Sequence, residues 1–216
     1  MKKTKAIVSV TLALGTLLAS LLSAEAALPV PSAAVACYFV GRGFLNPSSG
    51  QGEIVGYFTD ITGIAGPLFN GAPGEDTAFF TFRSDVVQFT PLPTNGDIGL
   101  NLVSPGTFDI YFNPMPMGNW SNPDTFSTGQ LVARFRRPES LLLQIPTVTR
   151  TVLTGTLVSS RKFSFNGHEY DFRAIVPAGV TFDELFSNTG VPGVTNFPVG
   201  LAAAGDCLAV AITGQG

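Results

Sequence analysis

His168 is the chain's one histidine, so chemistry that needs an imidazole base at neutral pH has a single candidate. Ser160, His168 and Asp171 supply the residue types of a nucleophile, a base and an orienting acid. Their spacing argues against a triad. His168 and Asp171 are an odd number of residues apart in an extended run and so project to opposite faces, and no Gly-x-Ser-x-Gly elbow lifts a serine out of a turn. Paired carboxylates come next. Glu169 and Asp171 share a strand face, and i, i+2 spacing approaches the roughly 6.5–9.5 Å that separates the carboxyls of an inverting glycosidase. Lys162 stands across from them, however, and charge pairing on a wet face accounts for both acids. Glu75-Asp76 is a loop charge, and Asp183-Glu184 suits the first turn of a helix. No catalytic residue is assigned.

Metal chemistry has little material. Two cysteines and one histidine exclude Cys-rich zinc modules and His-rich sites. Oxygen ligands gather at 70–76 (Asn-Gly-Ala-Pro-Gly-Glu-Asp) and at Asn95-Gly96-Asp97, but no Asp-x-Asp-x-Asp-Gly run occurs, and turns demand the same residues. No cofactor is expected; one structural calcium is the sole metal considered. Arg134, Arg136 and Arg137 form the one basic cluster. Arg134 and Arg136 share an outer strand face, where they could meet an anionic glycan or a partner's carboxylates. Trp120, in a long loop, and Tyr111, on a wet strand face, could stack on sugar rings. Trp120, Tyr111, Arg134 and Arg136 are therefore the candidate ligand-binding residues.

These side chains must be positioned by strands. Apolar residues alternate with polar ones over short runs broken by Gly, Pro, Asn and Asp, and helical periodicity is nearly absent. Strands are expected near 35–41, 52–59, 77–83, 85–91, 97–103, 106–113, 129–136, 140–145, 149–159, 161–166, 169–175 and 205–213. The sharpest local signal is Phe163-Ser-Phe165-Asn166-Gly167-His168-Glu-Tyr170. Asn-Gly is the preferred pair for a two-residue type I′ turn, because both positions need positive φ. The resulting register puts Phe163, Phe165, Tyr170 and Phe172 on a dry face, and sets Lys162 opposite Asp171 on the wet one. A short helix is predicted over 181–187, with Thr181 as cap and Glu184 completing a capping box. The longest loop-like segment runs over 113–128. The fold class is thus all-β, an antiparallel sandwich or flattened barrel of about a dozen short strands with at most one short helix. Residues 27–216 form a single domain; a two-half organisation about the 113–128 loop is the alternative.

The chain has 216 residues, 45% hydrophobic and 12% charged. It is too apolar for disorder and, at net charge −3, lacks the basic face that nucleic acid requires. Lys2, Lys3 and Lys5 precede an apolar run over 6–22 and then Ala24-Glu25-Ala26. That is the pattern of a secretory signal over residues 1–26. Its removal takes Glu25 and those lysines, moving the net charge from −3 to about −5, and leaves no membrane span. The expected location is secreted or periplasmic. In an oxidising compartment Cys37 and Cys207, near opposite ends of the mature chain, are expected to pair. In the chain-entropy model such a closure is worth on the order of 5 kcal/mol. The first functional expectation is an exported, non-enzymatic β-domain acting as a surface or matrix component, packed against copies of itself or another surface protein. The alternative is a carbohydrate-binding module using exposed aromatics. A second alternative is a small-molecule binder or enzyme with a cavity inside the β shell. Its mark would be a cavity of roughly 300 Å³ or more, lined by phenylalanines with a few convergent polar groups.

Overall fold

The computed structural model describes residues 28–211; the expected signal segment lies outside them. β1 (Val35–Asn46) and β2 (Gln51–Ile61) form the first hairpin. The next three staves each come in two pieces: β3 (Phe80–Ser84) with β4 (Val87–Asn95), β5 (Ile98–Val103) with β6 (Gly106–Phe112), and β7 (Gln130–Arg137) with β8 (Ser140–Gln144). β9 (Val148–Ser160) follows, then the small hairpin β10 (Phe163–Phe165) and β11 (His168–Tyr170), and a one-turn helix α1 (Phe172–Ile175). β12 (Gly179–Val194) and β13 (Phe197–Ala209) complete the chain. Each stave pairs antiparallel with the next, and β13 returns to pair with β1. The result is a closed, eight-stave meander, the flattened-barrel form of the expected all-β class.

Period-two burial builds this barrel. Along β9 every second residue from Thr149 to Leu157 is buried, while Arg150, Val152, Thr154 and Thr156 are exposed. Phe39, Phe58, Phe82, Phe108, Phe135 and Phe182 meet on the axis, with Phe82 stacked on Phe108 at 4.8 Å between centroids. Eight staves enclose only enough room for side chains, so rings on one stave need small residues opposite. A Cβ on Gly56 would come within 2.6 Å of the Phe82 ring, and one on Gly155 within 2.6 Å of the Phe182 ring. Cys37 and Cys207 are directly opposed in register on β1 and β13. Their Cα atoms are 5.1 Å apart, at disulfide distance.

The two ends differ. At the cysteine end, β10, β11 and α1 form a plug. Asn166 and Gly167 both take positive φ, +50° and +79°, and Phe163, Phe165, Tyr170 and Phe172 are all buried. The expected hairpin is present, with one difference. Lys162 pairs with Glu169 at 2.8 Å, because Asp171 leaves the strand to cap α1, accepting from the Arg173 amide. Phe163 and Phe165 pack against Phe80 and Phe112, three of the four contacts edge to face, and only about 10 Å³, walled by apolar side chains, stays empty beneath α1.

A correction concerns 181–187, which is the middle of β12 and not a helix. The capping-box pattern lost because a one- or two-turn helix is marginal alone, whereas here both edges of the segment are hydrogen-bonded, to β9 and to β13. The segment 113–129, which holds a 3-10 helix (Pro123–Ser127), lies against the outside of β2 and β3. Asp124 pairs with Arg83 at 2.6 Å, and Arg83 with the buried Glu53 at 2.8 Å. Phe126, fully buried, accepts a hydrogen bond at its carbonyl from Thr81.

Two predictions follow from this packing. Gly155→Val forces a branched side chain onto Phe182 and Phe135 and should lower stability by about 1–3 kcal/mol in urea unfolding. The Cys37→Ser/Cys207→Ser double variant should lose about 2–5 kcal/mol, and reduction of the wild-type protein should give a matching loss.

Candidate ligand cavity

The open end of the barrel carries the four short hairpin turns, and beneath them the phenylalanine packing stops. Three neighbouring staves break at one level, between β3 and β4, β5 and β6, and β7 and β8. Ser84, Val103 and Arg137, which flank those breaks, stand on the wall of a cavity of about 460 Å³ that opens towards the β1–β2 turn. Its apolar lining includes Ile54, Val87, Phe89, Leu142, Phe186 and Leu201. Gly43 makes room for Phe186, since a Cβ there would come within 2.8 Å of that ring. The volume lies inside the range of about 300–1,000 Å³ typical of small-molecule sites.

Polar groups in the wall differ in how far they are satisfied. Thr149 Oγ1 donates to Asn188 at 2.8 Å, and Thr151 Oγ1 to the Leu141 carbonyl at 2.9 Å. Ser84 Oγ accepts from the Ile54 amide and donates to the Asp85 carbonyl. Glu184 and Arg137 are different. The Glu184 side chain is 1% exposed and that of Arg137 6%. They meet through one contact, Arg137 Nη2 donating to Glu184 Oε2 at 3.3 Å, long for a charge-assisted bond. Glu184 Oε1 is, among the described residues, the one buried side-chain oxygen or nitrogen with no hydrogen-bond partner. Burial pushes the Glu184 carboxyl above its usual 4.5; Arg137 opposes this and Asp183 adds to it.

Alternation explains both placements. Ala133, Phe135 and Arg137 share the inner side of β7, and Phe182, Glu184 and Phe186 that of β12. Neither Arg137 nor Glu184 was among the candidate ligand residues. Arg137 adjoins exposed Arg136 in sequence, and the residues around Glu184 match the start of a capped helix. The usable signal was the apolar-x-charged-x-apolar period that runs through Glu184.

The residues singled out from sequence lie outside the barrel wall. Arg134 grips Asp109 with two bonds, Nε to Oδ1 at 2.8 Å and Nη2 to Oδ2 at 2.6 Å, which hold its guanidinium well above its ordinary pKa. Arg136 is exposed on the same face. Tyr111 donates to Asp109 at 3.3 Å, and its phenol is raised first by burial and then by that carboxylate. Trp120 packs 4.8 Å from Phe126 and 6.0 Å from Tyr57, with the Arg42 guanidinium 4.8 Å over its ring. Ser160 donates to Asp171, while His168 is exposed beside its turn. Asp183, next to Glu184, points outward to Arg150, whose hydrogen bond lowers its pKa. Among the described residues no group of three or more His, Cys, Asp or Glu side chains is placed to hold a metal ion, and no helix is long and apolar enough to cross a membrane.

Compared with known protein families, curated proteins and solved structures, the chain matches none.

The raised Glu184 pKa has a signed consequence. As pH rises past about 4.5 the unfolded chain ionises at this residue before the folded one does, so stability is lost until the folded group also ionises. Glu184→Gln removes that slope. Its stability relative to wild type should improve with rising pH by up to about 1.4 kcal/mol per unit, followed by urea unfolding at stepped pH. Arg137→Met leaves a buried carboxylate alone and should cost about 3–5 kcal/mol at neutral pH. Arg137→Met/Glu184→Leu should recover most of that loss.

Proposed function

We propose that this protein is an exported binding protein that holds a small, mainly apolar molecule inside its barrel. The observation that carries this reading is the 460 Å³ cavity, which meets the size expected of a small-molecule site and has a mainly apolar wall in which Arg137 and Glu184 meet among a few hydroxyl and amide groups. A wall built only for stability would continue the ring packing found at the cysteine end, where about 10 Å³ remains. Export is supported by the signal-like N-terminal sequence and by the opposed Cys37 and Cys207, which suit an oxidising compartment. Sugar stacking on the outer surface has weaker support, because Phe126, Tyr57 and Arg42 already crowd the Trp120 ring.

The test uses the mature protein and N-phenyl-1-naphthylamine, a neutral probe that fluoresces in apolar surroundings. Saturable binding at one site per chain is expected. Leu142→Trp and Val103→Trp, which place an indole in the cavity, should each weaken binding at least tenfold while leaving the β-sheet circular dichroism unchanged. Unsaturable binding, or binding that both variants retain in full, would sink the proposal.

A further inference from the structure

The polar floor of the cavity restricts what the bound molecule carries at its inner end. Arg137 and Glu184 are the charged side chains that face each other there; Glu53, the other charged residue of the lining, has its carboxylate paired with Arg83 at 2.8 Å. On the neighbouring elements, β9 presents Thr149 and Thr151 to the interior, β13 presents Leu201 and Ala203, and the nearby charges Arg150, Asp183 and Asp206 lie on the outer face. A guanidinium has five N–H donors, and the contact with Glu184 engages one of them. Glu184 Oε1 adds a buried position with no partner. A hydroxyl offers one oxygen to this set and leaves most of the donors empty. An ammonium would be repelled by Arg137. A carboxylate matches best. Its two oxygens can accept a forked pair of bonds from Arg137, and one of them can also accept a hydrogen bond from a protonated Glu184. The charges then balance, with one cationic guanidinium and two carboxyl groups that share a single proton. Like charges this close cannot both stay ionised.

We infer that the ligand is an apolar monocarboxylic acid, seated with its carboxylate on Arg137 and Glu184 and its hydrocarbon part towards the mouth. This rests on the cavity being a binding site. Where Glu184 is ionised before binding, one proton is taken from solvent as the acid enters and ends on Glu184. The burial that raises the Glu184 pKa favours that protonation.

The experiment compares decanoic acid, decanol and decylamine by displacement of N-phenyl-1-naphthylamine and by calorimetry from pH 6 to 9. The acid is expected to bind at least tenfold more tightly than the alcohol, and the amine most weakly. At the alkaline end the affinity for the acid should fall up to tenfold per pH unit with proton uptake, while that for the alcohol stays level. Glu184→Gln should keep the preference for the acid but lose the alkaline fall, because an amide N–H donates without needing a proton. Arg137→Met/Glu184→Leu, which keeps the floor uncharged and filled, should reverse the preference towards the alcohol. Equal affinity for acid and alcohol, preference for the amine, or an acid affinity that stays level across the pH range in which Glu184 of the unliganded protein titrates would overturn the assignment. If the neutral probe binds and none of the decyl compounds displaces it, the carboxylate assignment falls and the cavity reading stands. If the probe fails as well, both fall.

Discussion

Closing eight strands into one ring fixes how much can be placed inside it. The interior is about as wide as facing side chains can fill, so every inward position is a choice of volume. Phenylalanine opposite glycine is the choice made over half of this barrel. Gly56 lies under Phe82 and Gly155 under Phe182, and the rings stack where the small residues give way. Such a pairing tolerates no added carbon on one side and leaves no void on the other. The remaining features depend on this closure. The plug seals one end of the ring, the opposed cysteines join its first and last staves, and the cavity lies where the axial ring packing stops.

Much of this was legible along the chain because it is local. Alternation in 106–113 and 129–136 put Phe108, Ile110 and Phe135 inside, where they are buried. Asn166-Gly167 fixed a turn and, with it, the face that buries Phe163, Phe165 and Tyr170. The opposition of Cys37 and Cys207 in register agrees with the expected pairing. Ring closure was harder to see, since β1 and β13 meet across nearly the whole chain and carry no shared local signature besides the cysteines. The candidate cavity was hidden for a different reason. Thr181, Asp183 and Glu184 resemble a capped helix start, and that pattern obscured the period-two series of Phe182, Glu184 and Phe186. Arg137 stands beside Arg134 and Arg136, and reading the three as one basic patch ignored the alternation that sends the last of them inward. In both cases a charge was judged by its sequence neighbours rather than by its face.

The outer wall also shows how several of the expected surface residues are held. Three of its arginines are committed to intramolecular partners. Arg134 holds Asp109, Arg83 links Glu53 to Asp124, and Arg150 holds Asp183. The Arg83 link fastens the 113–129 segment to the barrel together with Phe126 and Trp120. The aromatic residues of that segment thus act as packing against the outside of β1 and β2, and the long loop is structural covering over part of the wall.

The pair of Arg137 and Glu184 is the feature that stability does not account for. An apolar pair of similar size at these positions is often neutral or stabilising by about 1–4 kcal/mol relative to a buried ion pair. The ion pair here is also a poor example, with one bond of 3.3 Å and an oxygen left over. One layer deeper, the same two strands carry Phe135 and Phe182, 5.9 Å apart and edge to face, which is the solution that favours stability. The change from that solution to an under-satisfied ion pair coincides with the point where the barrel stops being solid. A charged pair with spare hydrogen-bonding capacity, placed where the wall first borders open volume, is the arrangement expected when the missing partner belongs to another molecule.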